Sequence, residues 1–120
     1  MPSVALDTAG NLYVSDQGAP HSKCSSKNSG PAILIFNRPS VKGVGNIISK
    51  PPTHVIAGCA TELKAPSDIK VDSQGLIYVA DTTQSGNGIV RVYAAGKYGD
   101  VPMLGYYTSG GNVSGLIVVP

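Results

Sequence analysis

Residues 4–16, VALDTAGNLYVSD, recur at residues 69–81 as IKVDSQGLIYVAD, without a gap and at a constant offset of 65. Asp7 falls on Asp72, Gly10 on Gly75, Tyr13 on Tyr78 and Asp16 on Asp81. A gapless repeat of this kind means that one supersecondary unit is used twice, each copy burying an apolar face that it cannot bury alone. Each copy reads as a short alternating strand, an Asp-x-x-Gly turn and a second alternating strand. Asp7 and Asp72 are placed to accept hydrogen bonds from the turn's own amides, and Gly10 and Gly75 to take the positive φ that reverses the chain. The repeated unit is therefore a β-hairpin.

Further strands follow each hairpin. ILIF at 33–36 matches VRVY at 90–93 at offset 57, so the loop before the third strand is eight residues longer in the first copy. A weaker fourth strand near 53–57 corresponds to 103–107, and 116–119 reads as the first strand of a third copy, giving nine strands. The units run over about residues 3–58 and 66–108, with the third beginning at about 115–120. Val4, Leu6, Leu12 and Val14, and their counterparts Ile69, Val71, Ile77 and Val79, share one face, with Tyr13 and Tyr78 on the other. Fifteen Gly, nine Pro and a single glutamate, Glu62, suit short strands and tight turns rather than helices. Four-stranded blades stacked radially, as in a β-propeller, explain apolar residues on both strand faces. A β-sandwich would also accommodate nine short strands, but the gapless hairpin repeat favours the propeller.

The hairpin IKVDSQGLIYVAD followed by GIVRVY resembles the NHL repeat, and the continuation VRVYAAGKYGDVPMLGYY is similar to its bacterial version. The resemblance covers nearly the whole chain, with insertions at 17–31 and 41–51 departing from the pattern. It implies a propeller of five or six blades, in a family that includes lactonases, lyases and surface proteins. The chain is expected to supply two four-stranded antiparallel blades plus one extra strand, which falls short of a ring. Either further blades of a longer chain or self-association would then cover the open sheets.

Three function classes fit: a binding or scaffolding module, a structural subunit of an assembly, and a metal-dependent enzyme of the lactonase or lyase sort. The first and third-named differ in what they need. The resemblance implies a Glu, Asn and Asp metal set for the enzyme, and Glu62 lies in a connecting loop outside the repeated hairpins, so the reading leans away from catalysis. No catalytic residue, cofactor or metal ligand is assigned. Asp16, Asp81 and His21 fall on the expected loop face, whereas His54 starts a fourth strand and points to the opposite end. A trimeric propeller lectin is a further alternative; Trp is absent, which leaves Tyr98, Tyr106 and Tyr107 as ligand-facing aromatics. Nine Lys and Arg scattered among seven acids make no basic stripe, so nucleic acid is not expected as a partner. No apolar run approaches the ~20 residues of a membrane helix, and the opening MPSVALDTAG has neither region of a signal peptide. The Ser-, Gly-, Thr- and Asn-rich composition nonetheless reads as that of a secreted or cell-surface protein. The expected partners are copies of the chain, further blades, or a protein or glycan ligand.

Cys24 lies in the loop between strands two and three, and Cys59 in the loop that leaves strand four. In an up-and-down blade these loops emerge on the same side, so a disulfide between them is expected, with two free thiols in a reducing cell as the alternative. A bridge across so long a loop would contribute about 3 to 4 kcal/mol and imply an oxidising compartment. Thiol labelling of the unfolded chain without reductant should find no reactive cysteine; two labelled cysteines would reject the bridge.

Overall fold

The computed structural model describes residues 3–18, 30–38, 51–83 and 86–108. They form two antiparallel sheets of four strands, each sheet laid down in chain order. The first contains β1 (Val4–Leu6), β2 (Leu12–Asp16), β3 (Ala32–Phe36) and β4 (His54–Ala57). The second contains β5 (Asp68–Val71), β6 (Ile77–Thr82), β7 (Gly88–Tyr93) and β8 (Gly105–Thr108). Among the described residues there is no α-helix, and one 3-10 turn, Cys59–Thr61, sits in the connection between the sheets. The chain is all-β, as expected. Its two sheets do not close a ring, and the ninth strand expected at 116–119 lies outside the described residues.

The sequence repeat is reproduced in the strand register. Val4 pairs with Val14 and Ala5 with Tyr13 in the first hairpin; Ile69 pairs with Val79 and Lys70 with Tyr78 in the second. The turns match atom by atom. Asp7 accepts the amides of Ala9 and Asn11 at 2.9 Å and the Tyr13 hydroxyl at 3.0 Å. Asp72 accepts those of Gln74 and Leu76 at 2.9 Å and the Tyr78 hydroxyl at 3.2 Å. Gly10 and Gly75 both take φ +86°, the left-handed region that glycine enters without steric strain. One short carboxylate thus satisfies two turn amides and ties the hairpin tip to a tyrosine on its second strand.

Strand alternation then decides the packing. Tyr13, Ile33, Ile35 and Ile56 project from the first sheet against Ile69, Ile77, Val79 and Tyr93 of the second, with Leu63 of the connection between them. β5 lies against β1 and β2. Full burial of each large apolar side chain contributes roughly 1.5 to 3 kcal/mol, so this seam supplies most of the apolar stabilisation. The second sheet also shields the edge of the first. The Gly99 amide donates to the Val55 carbonyl at 2.7 Å, and the Ala57 amide donates to the Gly99 carbonyl at 3.1 Å, so the β7–β8 connection adds a parallel bridge beside β4. The His54 and Tyr98 rings stack there at 3.8 Å, and the Asp100 carboxylate accepts the Ala60 amide at 2.8 Å. Gly58, at φ +123°, leaves the space that the Asp100 side chain fills.

Burial raises the pKa of the Asp7 carboxyl, but the hydrogen bonds from Asn11, Tyr13 and Ala9 outweigh it and hold the group below its ordinary value. Burial and the Asp7 bond push the Tyr13 phenol up to about 12. The folded state therefore keeps Tyr13 neutral where the unfolded chain ionises it. This contribution is intact below pH 10 and is lost as the pH rises from 10 towards 12. Urea midpoints measured across that range should fall, and Tyr13→Phe should make the decline shallower; equal slopes in both proteins would contradict this account.

Candidate functional site

The densest polar constellation of the described residues surrounds Asp81, near the end of β6. The side chain is enclosed, with the residue only 1% exposed. Asp81 Oδ1 accepts the amides of Ala65 and Thr82, both at 2.7 Å; Oδ2 accepts the Lys64 amide at 3.0 Å and Arg91 Nε at 2.8 Å. Arg91 comes from β7, where alternation places it on the same face as Ile89 and Tyr93, and it donates again from Nη2 to the Thr82 carbonyl at 3.2 Å. The Tyr93 hydroxyl donates to the Thr61 carbonyl at 2.7 Å, and burial pushes its pKa far up. Thr61 Oγ1 closes the sequence of bonds on the Gly58 carbonyl at 2.6 Å. The connection between the sheets is thereby held along its length to β6 and β7.

The strand-end position of Asp81 suits an aspartate that caps a loop through backbone amides, and here its carboxylate accepts three of them. It is a buried anchor whose carboxylate is committed to the backbone and to Arg91. The available signal was Arg91 itself, a charged residue in an apolar strand at the position that the first copy fills with Leu34. Asp16, the repeat counterpart of Asp81, is exposed at the end of β2 and accepts the Gly18 amide at 2.9 Å, an ordinary turn bond. The two aspartates share a sequence position but not an environment.

The aromatic candidates are not gathered into one platform. Tyr106 and Tyr107 are neighbours on β8 and so project to opposite faces of the sheet. Tyr98 is stacked on His54 at the edge of β4. Tyr78, whose pKa is raised by desolvation and by Asp72, lies on the same side as Tyr107. Asp7, Gly10, Asp72 and Gly75 belong to the hairpin turns described above. Among the described residues no group of three or more His, Cys, Asp or Glu side chains could hold a metal ion, and no helix is long and apolar enough to cross a membrane. Glu62 ends the 3-10 turn in the left-handed conformation. Cys59 opens that turn and is not a free thiol. Cys24 and His21 lie outside the described residues.

Removing the Asp81 carboxylate leaves a buried guanidinium without its charge partner and two connection amides without an acceptor. Asp81→Ala should lower stability by about 3 to 5 kcal/mol, more than Arg91→Leu, which leaves the carboxylate its three amides. Urea denaturation followed by circular dichroism checks the order, and a milder effect of Asp81→Ala would show that the connection is held by other means. Comparison of the chain with protein-family models, with curated proteins and with solved structures found no match.

Proposed function

We propose that this chain is a non-enzymatic binding or scaffolding module, built as two blades of an NHL-like β-propeller and working at the cell surface or in secretion. One observation carries the reading. The polar side chains best suited to chemistry are spent on structure, Asp7 and Asp72 on turns and Asp81 and Arg91 on the connection. What the sheets leave exposed is large and apolar or aromatic, including Val4, Leu6, Tyr106 and Tyr107. Surfaces of that composition suit contact with another macromolecule.

Ligand choice is assigned to the long insertions at 17–31 and 41–51, since loops carried on rigid repeats vary freely without disturbing the core. A disulfide between Cys24 and Cys59 would tether the first of these loops to the connection between the sheets, and it accords with an oxidising compartment.

The register suggests a clean test. Residues 17–31 join the terminal pair Asp16 and Ala32, whereas residues 82–88, TTQSGNG, join the corresponding pair Asp81 and Ile89. Replacing the first segment with TTQSGNG, in a Cys59→Ser background, should preserve cooperative unfolding. Ligands selected for the parent from a displayed-peptide library and a glycan array should no longer bind. Ligands that bind the shortened protein equally well, or an absence of any ligand for the parent, would overturn the assignment.

A further inference from the structure

Among the described residues each of the two sheets packs one face in the seam between them and no other strand packs on its outer face, and the repeat relates the outer, open faces to the buried ones. In the seam, the face of the second sheet bearing Ile69, Val71, Ile77 and Val79 packs on the face of the first bearing Ala5, Tyr13, Ile33 and Ile35. The open face of the first sheet carries the counterparts of the former group: Val4, Leu6, Leu12 and Val14. Val4 is 57% and Leu6 62% exposed, whereas Ile69 is fully buried. The open face of the second sheet carries the counterparts of the latter group. Tyr78 stands where Tyr13 does, Val90 where Ile33 does, and Tyr107, 66% exposed, where Ile56 does. Lys70 replaces Ala5, and its aliphatic stem can lie along an apolar partner while the ammonium reaches water. The described residues therefore carry the counterparts of both halves of the internal seam on opposite ends, with Val4, Leu6 and Tyr107 exposed there.

The strand edges follow the same rule. In β4 the outward-facing Val55 carbonyl and Ala57 amide are taken by Gly99, which belongs to the following sheet. The register of β8 places the Tyr106 carbonyl and the Thr108 amide at the corresponding outer edge. The group that covers a fourth strand here comes from the unit that follows it.

We infer that the chain associates head to tail with a second copy of itself, the Tyr107 face of one molecule seating on the Leu6 face of the next. This inference rests on the repeat-module reading above and names its partner. The contact is heterologous: it uses two different patches and leaves one of each free in any open pair. Further copies therefore add until a ring closes or a filament grows. The association needs no new kind of interface, only the existing seam formed between molecules.

Size-exclusion chromatography with light scattering on the full chain should show a species larger than a monomer. Leu6→Glu and Tyr107→Glu place a charge in one patch each, at exposed positions, so both variants should keep the parent's circular dichroism and unfold cooperatively while running as monomers. Mixed in equal amounts they should form a heterodimer, because each retains the patch that the other has lost. A monomeric parent would overturn the inference, as would a homodimer of either single variant or a mixture that remains monomeric. Loop-dependent ligand binding by a monomeric parent would leave the module reading standing while this inference fails.

Discussion

A single buried carboxylate holds the two sheets in their relation. Asp81 sits on β6, yet its oxygens accept the Lys64 and Ala65 amides from the connection that has just left the first sheet. The guanidinium of Arg91, one strand further on, neutralises its charge and returns a hydrogen bond to the Thr82 carbonyl. Ionised groups this enclosed are tolerated only when both charge and hydrogen-bonding capacity are met. Here four donors converge on one carboxylate. The connection is consequently fixed where it enters the second sheet, and with it the angle at which Ile69 and Val79 meet Tyr13 and Ile35.

The rest of the seam depends on that placement. Apolar packing is non-directional and would accept many mutual orientations of two sheets. Directional bonds select one of them: the Asp81 cluster at the connection, Tyr93 on Thr61, and the Gly99 bridge along β4. The hairpin turns act at a different level. Their Asp and Tyr pairs make each unit rigid before the units meet, so that a preformed face is presented to its neighbour. Local and tertiary preferences thus agree, which is the condition for a well-defined fold in a small protein.

Repetition also explains why chemistry and surface are distributed as they are. A unit designed to stack must be apolar on both faces, and whichever face lacks a neighbour remains apolar in water. The exposed Val4 and Leu6 are the direct counterparts of buried Ile69 and half-buried Val71. Polar residues are correspondingly concentrated in turns and connections, where they satisfy the backbone. The connections are the only segments free to differ between copies, as the longer link between β2 and β3 shows beside its short equivalent between β6 and β7.

By itself the sequence determined the unit: the gapless repeat specified the hairpin, its Asp and Gly turn residues, the strand order and the faces on which Ile69 and Tyr13 would lie. These features depend on contacts between residues close along the chain, which spacing and alternation report directly. Only the tertiary structure decided what each unit meets. The same aspartate is an exposed turn residue at Asp16 and a buried anchor at Asp81, because amides from a distant connection reach one and not the other. The pairing of Gly99 with β4 and the stacking of Tyr98 on His54 were likewise settled by the meeting of separate segments. The repeat marked both halves of the seam; folding decided which copy of each would be buried against the other sheet, as Ile69 and Tyr13 are, and which would hold exposed residues such as Leu6 and Tyr107.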